Sequence, residues 1–191
     1  MPSLEDSLSL IEAALRRLDH SAIAFLRPGL AQGEASARLH EHALPAPGEL
    51  CSLYAWHDGT DTTTDATLGE LWLFPGFYLS SLDQALANYR AFRHDRRWNP
   101  AWLPVLADGG GDLLVLDTAG HPASCPVRHF RIEESEHPVE YPSIRDMAAT
   151  FAAAYERGLV LRNSDGWLDL DDSAYAVVAA ELNPSVRWWR E

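Results

Sequence analysis

Apolar positions fall into helical stripes early and into extended runs in the middle of the chain. From Ser3 to Asp19, Leu4, Leu8, Ile11, Leu15 and Leu18 recur at three- and four-residue steps, which predicts an amphipathic helix. Ser3 and Asp6 stand where a capping box would open it, although aspartate is shorter than the preferred glutamate. SAIAFLRPGL reads as extended, ending in a Pro28-Gly29 turn, and Glu34 to His42 as a short helix. LPAPGELCSLYAWHDG predicts a helix opened by its prolines and stopped by Gly59. Thr60 to Leu68 is polar and reads as a loop. LWLFPGFYL reads as a strand, a Pro75-Gly76 bend and a second short strand. Ser81 and Gln84 then form a capping box for a helix carrying Leu82, Ala85, Leu86, Tyr89 and Phe92 on one face. Arg90, Arg93, Arg96 and Arg97 gather toward its C-terminal end, where positive charge suits the macrodipole.

The pattern changes at Trp102 to Asp117, WLPVLADGGGDLLVLD. Two nearly continuous apolar runs flank Asp108-Gly109-Gly110-Gly111-Asp112, a turn rich in the residues that tolerate positive φ. This predicts a hairpin at the centre of a sheet. A further turn is expected at Asp117 to Gly120, a strand at Pro126 to Glu133, and a loop through EESEHPVEYP. Ser143 and Asp146 cap a helix that Gly158 ends. A hairpin around Asn163 to Gly166 follows, then a helix capped by Asp171 or Asp172 and ended by Asn183-Pro184. In Trp188-Trp189, one ring in and one ring out is the expected arrangement. Helices followed by hairpins mixed with helices give an α+β fold, a mostly antiparallel central sheet with helices packed around it. With 191 residues and no dividing linker, the chain reads as a single domain.

Charge narrows the function classes. There are 28 acidic residues against 15 basic, a net charge of −13, and every basic residue is arginine. Such a surface repels nucleic-acid backbones and attracts basic proteins. No apolar run is long enough to span a bilayer, and the acidic N-terminus is unlike a secretory signal. With Cys51 and Cys125 unpaired by any motif, a cytoplasmic protein with reduced thiols is expected.

The chemical motifs are incomplete. DGGGD lacks the lysine of a phosphate loop and a third ligand for a metal. Leu161 to Asp172 starts on leucine and lacks the closing glutamate of a calcium loop. Trp56-His57-Asp58 has no nucleophile elbow to serve. The expectation is therefore no catalytic residue, no cofactor and no metal. Glu133, Glu134, Glu136 and Glu140 place four carboxylates within eight residues, either as a solvated loop or as a contact surface that imitates phosphates. Candidate partner-binding residues are these four, with Asp108 and Asp112 at the exposed hairpin end, Asp58, and Trp188.

Four segments together resemble the SMI1/KNR4 family, or SUKH superfamily: LPAPGELCSLYAWHDG, LFPGFYLSSLDQAL, WLPVLADGGGDLLVLD and YPSIRDMAATFAAAYERG. The resemblance covers about Leu44 to Gly158. It leaves residues 1–43 as an N-terminal helical extension and 159–191 as a C-terminal hairpin, helix and tail. It implies a SUKH-like α+β domain without catalytic activity. It further implies a protein partner, in many bacterial members a cognate polymorphic toxin of nuclease or deaminase type, neutralised by an immunity protein. The alternative it implies is a regulatory scaffold docking cellular partners, as in cell-wall synthesis signalling.

Overall fold

The first helix begins where a serine can satisfy its open amides. In a computed structural model that describes residues 2–119 and 125–190, the Ser3 hydroxyl accepts the Asp6 amide at 3.0 Å. The Asp6 carboxylate in turn accepts the Ser3 amide. Helix α1 (Leu4–Arg17) follows, and Leu4, Leu8, Ile11 and Leu15 on its stripe are all buried.

SAIAFLRPGL is not extended throughout. Ala22–Phe25 forms a single helical turn, α2, and only Leu26 makes an extended bridge, to Thr60. Ala22 is fully buried there, small enough for the turn to close on its neighbours. Helix α3 (Glu34–Glu41) and helix α4 (Gly48–Trp56) lie where the sequence puts them. Helix α4 stops at Trp56, before Gly59. Gly59 serves another purpose. With φ of 78° it passes so close to the next segment that a Cβ would lie 2.2 Å from the Ser81 nitrogen.

LWLFPGFYL departs most from expectation. Its start is the end of a one-turn helix, α5 (Leu68–Leu71), opened by a Thr67/Glu70 capping box. Phe74 and Phe77 bridge across the Pro75-Gly76 turn, and only Tyr78–Leu79 is a strand, β1. The local cap at Thr67 outweighs the apolar run that suggested a strand. Helix α6 (Leu82–Phe92) begins at Ser81 with its capping box intact.

The predicted hairpin is β2 (Trp102–Ala107) and β3 (Leu113–Asp117). With β4 (Val127–Phe130) and β5 (Val139–Tyr141) they form an antiparallel sheet in the order β1-β2-β3-β4-β5, so β3 is central. The β5 strand falls inside the segment expected to be loop; Glu140 belongs to it and is 7% exposed. The Ala119 amide turns back onto the Asp117 carboxylate at 3.1 Å; Gly120 lies outside the described residues.

Both faces of the sheet are covered. Leu103, Leu106, Leu114, Leu116 and Val127 join the main core with α1 and with α7 (Ile144–Glu156). A bulge between Pro104 and Leu106 puts Val105 on the same side. Trp102, Ala107, Leu113, Val115 and Phe130 face the other way and pack with Trp98. Strands β6 (Val160–Arg162) and β7 (Leu168–Leu170) make a separate hairpin, and α8 (Asp172–Leu182) is capped by Asp171. The main core runs from Leu4 to Ala179 in sequence. The α1 stripe is therefore part of the interior and not an appendage.

Candidate protein-binding surface

Two sets of carboxylates that look alike in sequence are used differently. Asp108 is an internal acceptor. Its Oδ1 takes the amides of Gly110, Gly111 and Asp112 at 2.7, 2.9 and 2.9 Å, while Gly109 and Gly111 supply the positive φ values of 87° and 122°. Asp112 accepts the Ile132 amide at 2.8 Å, and its other oxygen lies 3.4 Å from His129 Nε2. Asp58 accepts the Leu82 amide at 2.8 Å, serving the first turn of α6. Glu140 lies 3.0 Å from His129 Nδ1. All four candidates are thus engaged within the fold, and Glu140 is not on the exposed loop.

Glu133, Glu134 and Glu136 are exposed on the connection between β4 and β5. Glu134 lies 3.6 Å from Arg131, too loose and too solvated a pair to fix it. The backbone beneath them is held. Arg97 donates to the carbonyls of Ile132 and Glu134 while pairing with Asp95 at 2.8 Å. Arg97 therefore does not serve the end of α6, which stops at Phe92; it ties the acidic loop to the body. The Arg97 guanidinium and amide hold the Asp95 carboxyl down at about 2. The loop is an anchored platform presenting three carboxylates.

Beside it runs an open cleft of about 720 Å³, formed where Glu136 to Pro142 approach Ser185 to Trp188. Trp189 brings the two segments together. Its indole N–H donates to the Glu140 carbonyl, and its ring packs against Tyr141 and Tyr175. Those tyrosines share a buried hydrogen bond at 2.6 Å, and burial pushes both phenols well above their ordinary value. With Trp189 turned in, Trp188 is turned out, 40% exposed on the cleft, with the Arg131 guanidinium 5.6 Å from its ring centre. His137 also lines the cleft. Its Nδ1 accepts the Arg131 amide, and burial, then Arg97, favour its neutral form.

The structure thus brings Glu133, Glu134, Glu136 and Trp188 to one side of the molecule and assigns Asp58, Asp108, Asp112 and Glu140 to its scaffold. Sequence reading missed Arg97, His129 and the cleft. Only the Trp188-Trp189 pair hinted at the last, through its expected alternation of burial. The other chemical motifs have local partners. His57 donates to the Arg27 carbonyl, and Asn163 accepts the amides of Asp165 and Trp167 in a plain turn. Burial raises the thiols of Cys51 and Cys125 above their ordinary value. Among the described residues no group of three His, Cys, Asp or Glu is arranged to hold a metal, and no helix is long and apolar enough to cross a membrane.

No match was found among curated proteins. The model of the SMI1 / KNR4 family (SUKH-1) matches residues 40–156, which spans α4, α6, the whole five-stranded sheet and α7. With most of its length and its entire central sheet inside that match, the chain belongs to the SMI1/KNR4 (SUKH-1) family, generally non-catalytic protein-binding domains.

Proposed function

We propose that this domain is an immunity protein, acting in the cytoplasm by binding a basic toxin domain of nuclease or deaminase type and covering its active site. The observation that carries this reading is the platform of Glu133, Glu134 and Glu136. Three exposed carboxylates sit on backbone that Arg97 holds in place, on a chain of net charge −13. An enzyme that handles nucleic acid presents a basic cleft, and a fixed row of carboxylates complements it. Their long-range field raises the encounter rate, and their placement selects among partners. Holding the row in place beforehand lowers the ordering cost of association.

The test is co-expression with the product of the adjacent gene, followed by co-purification and a growth-rescue assay. The expected result is a stable complex and rescue, both weakened when Glu133, Glu134 and Glu136 are all changed to lysine. Rescue by the reversed variant at undiminished affinity would sink the reading. Recovery of a non-toxic cellular protein as the specific partner would replace it with the docking-scaffold reading.

A further inference from the structure

The cleft beside the acidic platform has its own chemistry. Its apolar surface comes from Pro138, Pro142 and Val186, and its rim from Glu136 and Trp188. Arg187 also lines it and is already engaged within the chain. A long side chain with an apolar stem and a flat cationic head suits this combination. The stem would lie along the prolines and valine, the head against the indole and the carboxylate. The protein already demonstrates half of that contact. The Trp188 ring takes the Arg131 guanidinium at 5.6 Å while remaining 40% exposed. The Glu136 carboxylate, by contrast, is exposed and makes no hydrogen bond or ion pair among the described residues.

We infer that the cleft between β5 and the C-terminal segment is an arginine-binding anchor site, in which a partner's guanidinium stacks on Trp188 and pairs with Glu136. This rests on reading the surface as the site of a basic partner, and it names which partner group is anchored. Arginine fits better than lysine because its planar head can stack on an indole and pair with a carboxylate at once. Glu133 and Glu134 lie outside the cleft lining and act by field. Glu136 and Trp188 act by contact.

The experiment is an NMR titration of the full chain with three blocked tripeptides, acetyl-Gly-Xaa-Gly-amide, where Xaa is arginine, lysine or citrulline. The Trp188 indole resonance is assigned by its loss in Trp188→Phe. The expected result is a saturable shift of that indole and of the Val139 and Val186 amides with the arginine peptide, weaker with lysine and absent with citrulline. Glu136→Gln and Trp188→Ala should each weaken it about five- to tenfold. Equal shifts with citrulline, an unchanged affinity in Glu136→Gln, or no saturable shift at the cleft would each overturn the inference. Glu133→Lys with Glu134→Lys separates the two readings in the rescue assay. If that double variant loses rescue while Trp188→Ala and Glu136→Gln keep it, the cleft is not the anchor and the immunity reading stands. If peptide binding at the cleft holds but no rescue or complex is seen, the anchor stands and the toxin reading falls.

Discussion

The carboxylates of the β2–β3 turn and those of the β4–β5 loop lie on neighbouring parts of one sheet, yet they do opposite work. Asp108 and Asp112 point back into the chain and satisfy four backbone amides between them. Glu133 and Glu136 point away and make no hydrogen bond or ion pair among the described residues. The first pair serves the fold, and the second is left facing solvent. A count of acidic residues cannot make this distinction, because the net charge weighs both kinds equally. What separates them is length and setting. Aspartate in a glycine turn is short enough to reach its own backbone, whereas glutamate on an anchored loop reaches past it.

The largest effect should come from breaking the inner set. Asp108→Ala removes the acceptor of three amides and should cost about 2 kcal/mol, read as a lowered urea midpoint. Asp108→Asn keeps one acceptor oxygen and should lose roughly half as much. Partner affinity per folded molecule should not change in either. If affinity falls while stability holds, the division between the two sets is wrong.

The mirror experiment comes next. Glu133→Lys with Glu134→Lys should leave the urea midpoint within about 0.5 kcal/mol of the parent, as exposed charges do. It should slow association with a basic partner roughly tenfold at low salt, a difference that fades as salt rises. Stopped-flow mixing across a salt series reads both. An association rate that ignores salt would mean the platform does not steer.

Glu140 sharpens the boundary, because sequence groups it with Glu136 and the structure does not. It lies in β5, 7% exposed, beside His129, with its carbonyl holding the Trp189 indole. Glu140→Gln keeps the shape and removes the charge facing His129. It should cost about 1 kcal/mol in stability and leave the partner's association rate unchanged.

Glu140 also shows where the sequence was legible. The hairpin, the caps at Ser3, Ser81 and Ser143 and the out-and-in pair at Trp188-Trp189 could be read because their causes are local: alternation, a side chain three residues from an amide, a glycine in a turn. The β5 strand could not, because three residues between two prolines carry no period. Pairing with β4 makes them a strand, and Trp189, some 49 residues on, holds their outer side. Arg97 was misread for the same reason. Its position after α6 suggests a helix-end charge, and only the folded chain shows the loop carbonyls it holds. The acidic cluster was visible as charge, but its division into Glu140 on one side and Glu133, Glu134 and Glu136 on the other depends on that distant packing.

The smallest effect tests whether the platform is held or merely present. Asp95 keeps Arg97 in place, and its carboxyl is drawn from 3.8 to about 2 by that guanidinium and amide. A carboxyl whose folded value lies below its unfolded one contributes stability above the unfolded value. The contribution is lost as pH falls through the folded one. The clamp should therefore be complete above pH 3.8 and dissolve only toward about 2. Followed by NMR, the Asp95 carboxyl should titrate near 2 in the parent and move up toward 3.8 in Arg97→Met. The same variant should speed amide exchange in the loop while leaving the β2–β3 turn as slow as before, because Asp108 supports that turn from within. Loosened equally, the two regions would be one cooperative unit. Loosened only at the loop, the exposed carboxylates stand on a support of their own.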